Sequence, residues 1–276
     1  MTDTATGGNS APEDALITIY YWRRGFVLLA PSFVLDRRDH PYHRLSATLM
    51  LAQRAPVRLE TGDGDELSAQ ALLIAPKVTR RRLSAIASDL MICDMGVTTP
   101  ECHALMPLLG KHAVCPLDAD RLAPLADDIG RARQGLLAPE AMKDLLHRMV
   151  FALTGQHPEP PQLHPRVSHA LRLIQEHPLP VITPDWLSRQ VHLSASRLRY
   201  LFSHEVGSSL SHYLRWSAVW KGAWLWSRGQ PLSRIAEAVG FYDPAHLNRA
   251  FNEVFGLNPS DLFRPEQVRL IRCDWD

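Results

Sequence analysis

Leu232-Ser233-Arg234-Ile235-Ala236-Glu237-Ala238-Val239-Gly240-Phe241 is followed, one residue later, by Asp243-Pro244-Ala245-His246-Leu247-Asn248-Arg249-Ala250-Phe251. Ala236 is small enough for two helices to cross closely, and Gly240, four positions on, can take the positive φ of a turn. Asp243 reads as an N-cap with Pro244 at the first helical position, so a new helix starts at once. Leu247, Phe251 and Phe255 repeat at helical spacing, which leaves His246, Asn248, Arg249 and Asn252 for another surface. This is the layout of a helix-turn-helix.

The same parts occur once more upstream. Thr183-Pro184-Asp185 caps a helix carrying Trp186, Leu187 and Val191, and Ser194 caps a second with Leu198, Phe202 and Val206 on its apolar side. Ser188 takes the small-residue slot, His192 the turn slot and Gly207 the stop. Between the copies an unbroken helical run, about Leu210 to Ser227, spans roughly 27 Å from the helical rise. A rod of that length suits two recognition helices set about one DNA turn (~34 Å) apart. Along it Trp216, Trp220 and Trp224 recur every four residues and form one stripe. Three aligned tryptophans make an apolar patch that water rarely covers, so the stripe is either an enlarged core or an interface. The partner in the second case is the N-terminal half, a second subunit or a different protein.

The 276 residues suggest two domains of ordinary size. The formal net charge is only +1, and the part after Pro165 has 13 Lys and Arg against 10 Asp and Glu. That is modest for a DNA binder, so sequence-independent phosphate attraction is limited and a homodimer is favoured. Cys93, Cys102, Cys115 and Cys273 show no paired spacing, which suits reduced thiols. With no signal pattern and no long apolar run, the expected compartment is the cytoplasm, and no membrane partner is expected.

Residues 1–14 are small and polar and read as a disordered tail. Short β-like runs follow at Leu16–Trp22, Phe26–Leu29, Leu45–Ala52, Val57–Glu60, Ala69–Ile74 and Leu83–Cys93, in a β domain placed at 15–116. Two amphipathic helices, roughly Pro124–Gln134 and Pro139–Leu153, make a helical dimerisation region at 117–155. Four prolines stiffen a linker at 156–165, and residues 166–276 form the all-α DNA-binding part. The predicted class is α+β, a β-barrel or sandwich with two helices and then two helix-turn-helix units joined by a long helix.

Several segments in order resemble the AraC/XylS transcriptional regulators. They are the Leu193–Phe202 helix, the Gly207/Tyr213 pair, Ile235-Ala236 with Val239-Gly240-Phe241, Arg249-Ala250-Phe251, and the closing Phe255-Gly256-Leu257-Asn258-Pro259-Ser260 with Leu262-Phe263-Arg264. The resemblance covers about the last hundred residues. The β domain followed by two helices also looks like the degenerate cupin sensor domain of many such regulators. What these resemblances imply is a homodimeric regulator, an activator, that binds double-stranded DNA, takes a small-molecule effector and contacts RNA polymerase. A ligand-blind β domain serving only as a dimer or partner module is the alternative.

By that family's register Ser196, Arg199 and Tyr200 face the groove in the first unit, and Ala245, His246 and Arg249 in the second. Arg197, Ser203 and Asn248 complete the exposed set. Arg can fork onto guanine O6 and N7, Asn can pair with adenine, and Ala can meet a thymine methyl. Tyr200 stands where relatives often carry Arg. Ser209, Lys221 and Arg228 suit phosphate rather than base. Arg80, Arg81 and Arg82, with His43, are the candidate effector residues. Three consecutive cations suit an anion at the mouth of a barrel, and a solvated edge that discourages strand pairing explains them as well. A cupin enzyme needs an inward cluster of His and carboxylate ligands. Asp39-His40-Pro41-Tyr42-His43 has no Glu at useful distance, and His103, His112, Cys102 and Cys115 match no zinc spacing. No enzyme, metal or cofactor is therefore expected.

Overall fold

Ser46–Ala52 (β5) and Leu90–Gly96 (β10) carry almost only small or apolar residues on both faces, as strands covered on both sides do. In the computed structural model they pair antiparallel in the middle of a seven-stranded sheet. The structure describes residues 17–226, 230–258 and 267–275. The expected tail at 1–14, Arg228 and the segment Pro259 to Arg264 lie outside them.

The remaining strands of that sheet are Ile17–Trp22 (β1), Gly25–Ala30 (β2), Ala71–Ile74 (β8), Val114–Pro116 (β11) and Val268–Arg272 (β12). Their order is β11-β8-β5-β10-β2-β1-β12. A smaller sheet, Phe33–Asp36 (β3), Thr79–Ala85 (β9), Val57–Thr61 (β6) and Glu66–Ala69 (β7), lies against it, with Tyr42–His43 (β4) paired to β9. The architecture is thus a sandwich, one of the two forms expected. Alternation sorts the side chains of the large sheet. Tyr20, Val27, Leu29, Leu49 and Met91 face helices Pro100–Leu109 (α1), Ala126–Arg133 (α2) and Pro139–Thr154 (α3). Ile19, Phe26, Leu28, Met50 and Ile92 face the small sheet and the C-terminal helices.

Those helices are Pro165–Glu176 (α4), Pro184–Gln190 (α5), Ala195–Val206 (α6), Leu210–Trp226 (α7), Leu232–Ala238 (α8) and Pro244–Phe255 (α9). The apolar side chains of α4–α9 run into the same continuous cluster as the sandwich interior. No helix among the described residues is long and apolar enough to cross a membrane.

Three departures from the sequence reading have local causes. The single run Leu83–Cys93 is two strands, because the chain reverses through Ala87 and Asp89, both at φ 50°. Helix α1 was not expected. Thr99 caps it by accepting from the Cys102 amide, and Pro100 sits in its first turn. The helix expected at Pro124–Gln134 begins instead as a 3-10 segment, Ala119–Leu125, containing Pro124. Beyond residue 166 only helix was expected, yet β12 pairs in parallel with β1, Ile17 opposite Val268 through Tyr21 opposite Arg272.

Candidate nucleic-acid interface and its seam with the sandwich

Each turn of the helical part is fixed by the residue type in it. Thr183, Ser194 and Asp243 accept from the amides of Trp186, Arg197 and His246, so α5, α6 and α9 each start at a satisfied cap. His192 turns the first unit at φ 53° and Gly240 the second at φ 84°. Ser188 and Ala236 are buried where each pair of helices crosses. Both units therefore have the geometry of a helix-turn-helix, with α6 and α9 as their second helices. At 1.5 Å per residue α7 is about 26 Å long.

On α6, Ser196, Arg197, Arg199, Tyr200 and Ser203 are all exposed. The Arg197 guanidinium lies over the Tyr200 ring at 5.4 Å, and Tyr200 stacks along His204. On α9, Ala245 and Arg249 are exposed. His246 is half-buried, with its ring edge-on to Phe241 at 5.0 Å. Asn248 is half-buried too, and its Oδ1 has no partner. Tyr242, absent from the sequence reading, is 95% exposed in the turn just ahead of α9. Its signal was an aromatic between the turn glycine and the cap, where no packing pattern asks for one.

Lys221 is placed differently from the phosphate role expected of it. Its ammonium donates to the carbonyls of Ile174 (2.7 Å) and His177 (2.8 Å), closing the C-terminal end of α4. Burial, with the nearby Arg23 charge, pushes its pKa down to about 8. Helical periodicity placed Lys221 beside the tryptophans but did not show that α4 ends against it.

The tryptophans lie between the two halves of the chain. Trp216 rests against Gly96, where an added Cβ would stand 2.9 Å from the indole. Trp220 is 6% exposed, its ring 6.0 Å from Phe26 of β2 and 5.1 Å from Phe255 of α9. Trp224 meets Tyr21 of β1 edge-on at 5.6 Å, with Arg272 of β12 over its other face.

Polar contacts continue this seam. Lys77 donates to the carbonyl of Gly207 at the end of α6, Arg37 to the Asn252 side chain, and Arg44 to the Phe255 carbonyl at 3.3 Å. Gly256, at φ 73°, ends α9 directly over the Tyr42 ring. His43 approaches His212 of α7 at 5.6 Å between ring centres. Burial, then the charges of His43, Lys77 and Arg215, hold the His212 pKa below its usual value. The C-terminal ends of α6 and α9 are thus held by the sandwich, while their N-terminal halves stay open.

The three expected effector cations do not share a surface. Arg80 is 0% exposed and points into the sandwich. The ladder between β6 and β9 slips by a bulge at Glu60/Thr61, which turns Arg80 inward opposite Tyr42 and Thr61. Arg81 pairs with Glu60 and Arg82 with Asp36, both at 3.5 Å, on the outer side. The mouth expected from three consecutive cations is therefore absent. His43 lies on the exposed side of β4. Among the described residues no group of three or more His, Cys, Asp or Glu could hold a metal. Cys102 is buried in α1, its thiol pushed up to about 12 by burial.

Residues 187–265 match the family described as a helix-turn-helix domain. No curated protein matches the sequence. Among solved structures, an apo ToxT from Vibrio cholerae aligns over 83% of this chain and 91% of its own, at 10% identity and a TM-score of 0.54. ToxT solved with a bound unsaturated fatty acid aligns over 85% and 94%, at 11% identity and a TM-score of 0.53. The C-terminal domain of AraT, a response regulator from Geobacillus stearothermophilus, aligns over 37% and 85%, at 28% identity and a TM-score of 0.34. Residues 187–265 thus match a helix-turn-helix domain, carried on a chain that shares its two-part fold with ToxT.

Proposed function

We propose that this chain is a cytoplasmic, sequence-specific transcription regulator that binds double-stranded DNA as a homodimer. The helices α6 and α9 enter successive major grooves of one face, and a small-molecule effector acts through the sandwich. One observation carries the reading: both second helices open their N-terminal halves to solvent while their C-terminal ends are held. Recognition helices of this motif read base edges with their N-terminal residues. Ser196, Arg199 and Tyr200 of α6, with Ala245 and Arg249 of α9, carry the contacts. Arg197, Ser203 and Tyr242 flank them on phosphate or sugar. Asn248 and His246 take part at the edge of the α9 set, where both are half-buried.

The effector reading draws on the apolar cluster that the sandwich shares with α7 and α9. A ligand that shifts Phe26 or Tyr42 moves Trp220, Phe255 and Gly256, and with them the end of α9. That ToxT has been solved with a fatty acid bound supports a ligand site in this fold.

Genome-wide mapping of binding sites supplies the operator, on which Arg199→Ala is then compared with wild type. Loss of its fork is expected to cost about 1–3 kcal/mol and to relax preference at one base position. Unchanged affinity together with unchanged preference would remove α6 from the groove.

A further inference from the structure

Two arginines are buried in the end of the sandwich nearest α7 and α9. Arg44 is 5% exposed and Arg80 0%. One carboxylate serves both. Arg44 Nη1 donates to Asp94 Oδ2 at 2.8 Å, and Arg80 Nη2 donates to Thr48 Oγ1 at 2.7 Å. Thr48 in turn donates to the same Asp94 oxygen at 3.1 Å. Both guanidinium groups flank the Tyr42 ring, at 5.6 and 5.9 Å from its centre. Two cations against one anion leave an uncompensated positive charge in a buried interior, where an unpaired charge is costly.

Donors are in excess as well. Nε of Arg44, Nε and Nη1 of Arg80 and Nε1 of Trp220 are all buried without an acceptor. Burial, with the Arg44 charge as a further cause, draws the Arg80 pKa down despite opposing pulls from Tyr42 and Asp94. Burial pulls the Arg44 pKa down, but the Asp94 charge, Tyr42 and the hydrogen bond to Asp94 together hold it above its usual value. Arg44 also lines a cavity of about 60 Å³ walled by Phe26, Leu28, Ile92, Trp220 and Phe255. One water needs roughly 10–15 Å³ on the same measure, so several non-hydrogen atoms fit.

We infer that this cluster is an oxyanion-binding site, in which Arg80 and Arg44 receive a carboxylate or similar singly charged group. The group supplies the acceptors that four buried N–H donors lack and neutralises the excess charge. Arg80 is its main anchor, because two of its N–H groups are free and no carboxylate touches it directly. The site deepens the effector reading above, on which it rests, and gives that effector a chemical class. Two sources share this chemistry: a free small anion, and the head of an organic acid whose apolar body enters the Trp220 cavity.

The test is thermal unfolding of the full chain, titrated with sodium acetate, sodium phosphate and sodium hexanoate against sodium chloride at equal ionic strength. A saturable rise in Tm with acetate or hexanoate, abolished in Arg80→Met, is expected. Equal response to acetate and phosphate identifies a free anion. Hexanoate acting at about tenfold lower concentration than acetate identifies an organic acid with its chain in the cavity. Where Arg80→Met does not fold, Arg80→Lys keeps the charge but loses the planar fork, and the response should weaken about tenfold. No saturable rise with any of the three anions overturns the assignment, as does a response undiminished in the Arg80 variant. No DNA is present in the measurement, so a negative result leaves the DNA-binding reading standing.

Discussion

Gly207 and Gly256 are a matched pair. Each ends a second helix of its helix-turn-helix unit in the left-handed conformation, at φ 69°, ψ 13° and φ 73°, ψ 4°. Alanine at either position meets the same backbone strain, about 1–2 kcal/mol. Their surroundings differ. A Cβ on Gly207 meets nothing within 4 Å, whereas one on Gly256 stands 2.9–3.1 Å from three atoms of the Tyr42 ring. Tyr42 is 2% exposed and has no room to swing away, so the overlap adds an overpacking cost of about 1–3 kcal/mol. Gly256→Ala should therefore be about 1–3 kcal/mol more destabilising than Gly207→Ala, measured as the difference in urea unfolding free energy. The excess reports the contact between α9 and β4, because the strain term cancels between the two variants. Equal losses would mean that α9 does not end on Tyr42, and the seam would have to be redrawn.

Lys221→Met should leave the salt dependence of DNA binding unchanged, since the ammonium is turned onto the Ile174 and His177 carbonyls; a slope lower by about one would put it on a phosphate. Between pH 8 and the ordinary lysine value the unfolded chain holds the extra proton, so wild-type stability gains a rising contribution there that Lys221→Met lacks. His212 works in the opposite range. Its depressed pKa makes a stabilising contribution that is whole above the ordinary histidine value and lost as pH falls through the folded one. Wild type should therefore lose more Tm than His212→Gln between pH 7.5 and 5.5, and parallel losses would take His212 out of the seam. Trp220→Ala should cost about 3–5 kcal/mol in the full chain, because its ring fills space against both Phe26 and Phe255; a loss under about 1 kcal/mol would show that the gap collapses.

What was legible in the sequence was local. Thr183, Ser194 and Asp243 cap their helices through atoms within three residues of themselves. His192 and Gly240 turn the chain by their own φ, so neither needs a distant partner to be recognised. The direction of Arg80 was not legible, because it depends on a bulge in its own strand, set by the pairing with β6, that shifts which residue faces inward. The contacts of Lys221 were not legible for a similar reason: its partners belong to a helix end 44 and 47 residues away. The buried pair Arg44–Asp94 gave no signal either, since the link between β4 and β5 meets β10, far away in sequence, to bring the charges together. The tryptophan stripe was visible as a stripe, but only the tertiary fold sets Phe26 and Tyr21 opposite it.

The pairing of β12 with β1 also bears on how the chain is made. Strand β1 is synthesised long before β12, yet among the described residues its outer edge is covered by residues 268–272. At roughly 5–20 residues per second, on the order of tens of seconds separate the two strands during synthesis. For that interval β1 presents unpaired amides and carbonyls beside Tyr21 and Ile19, an edge that invites pairing with another nascent chain. The sheet becomes complete only after α4–α9 have emerged, so a stalled or truncated product keeps an open edge that the finished protein does not have.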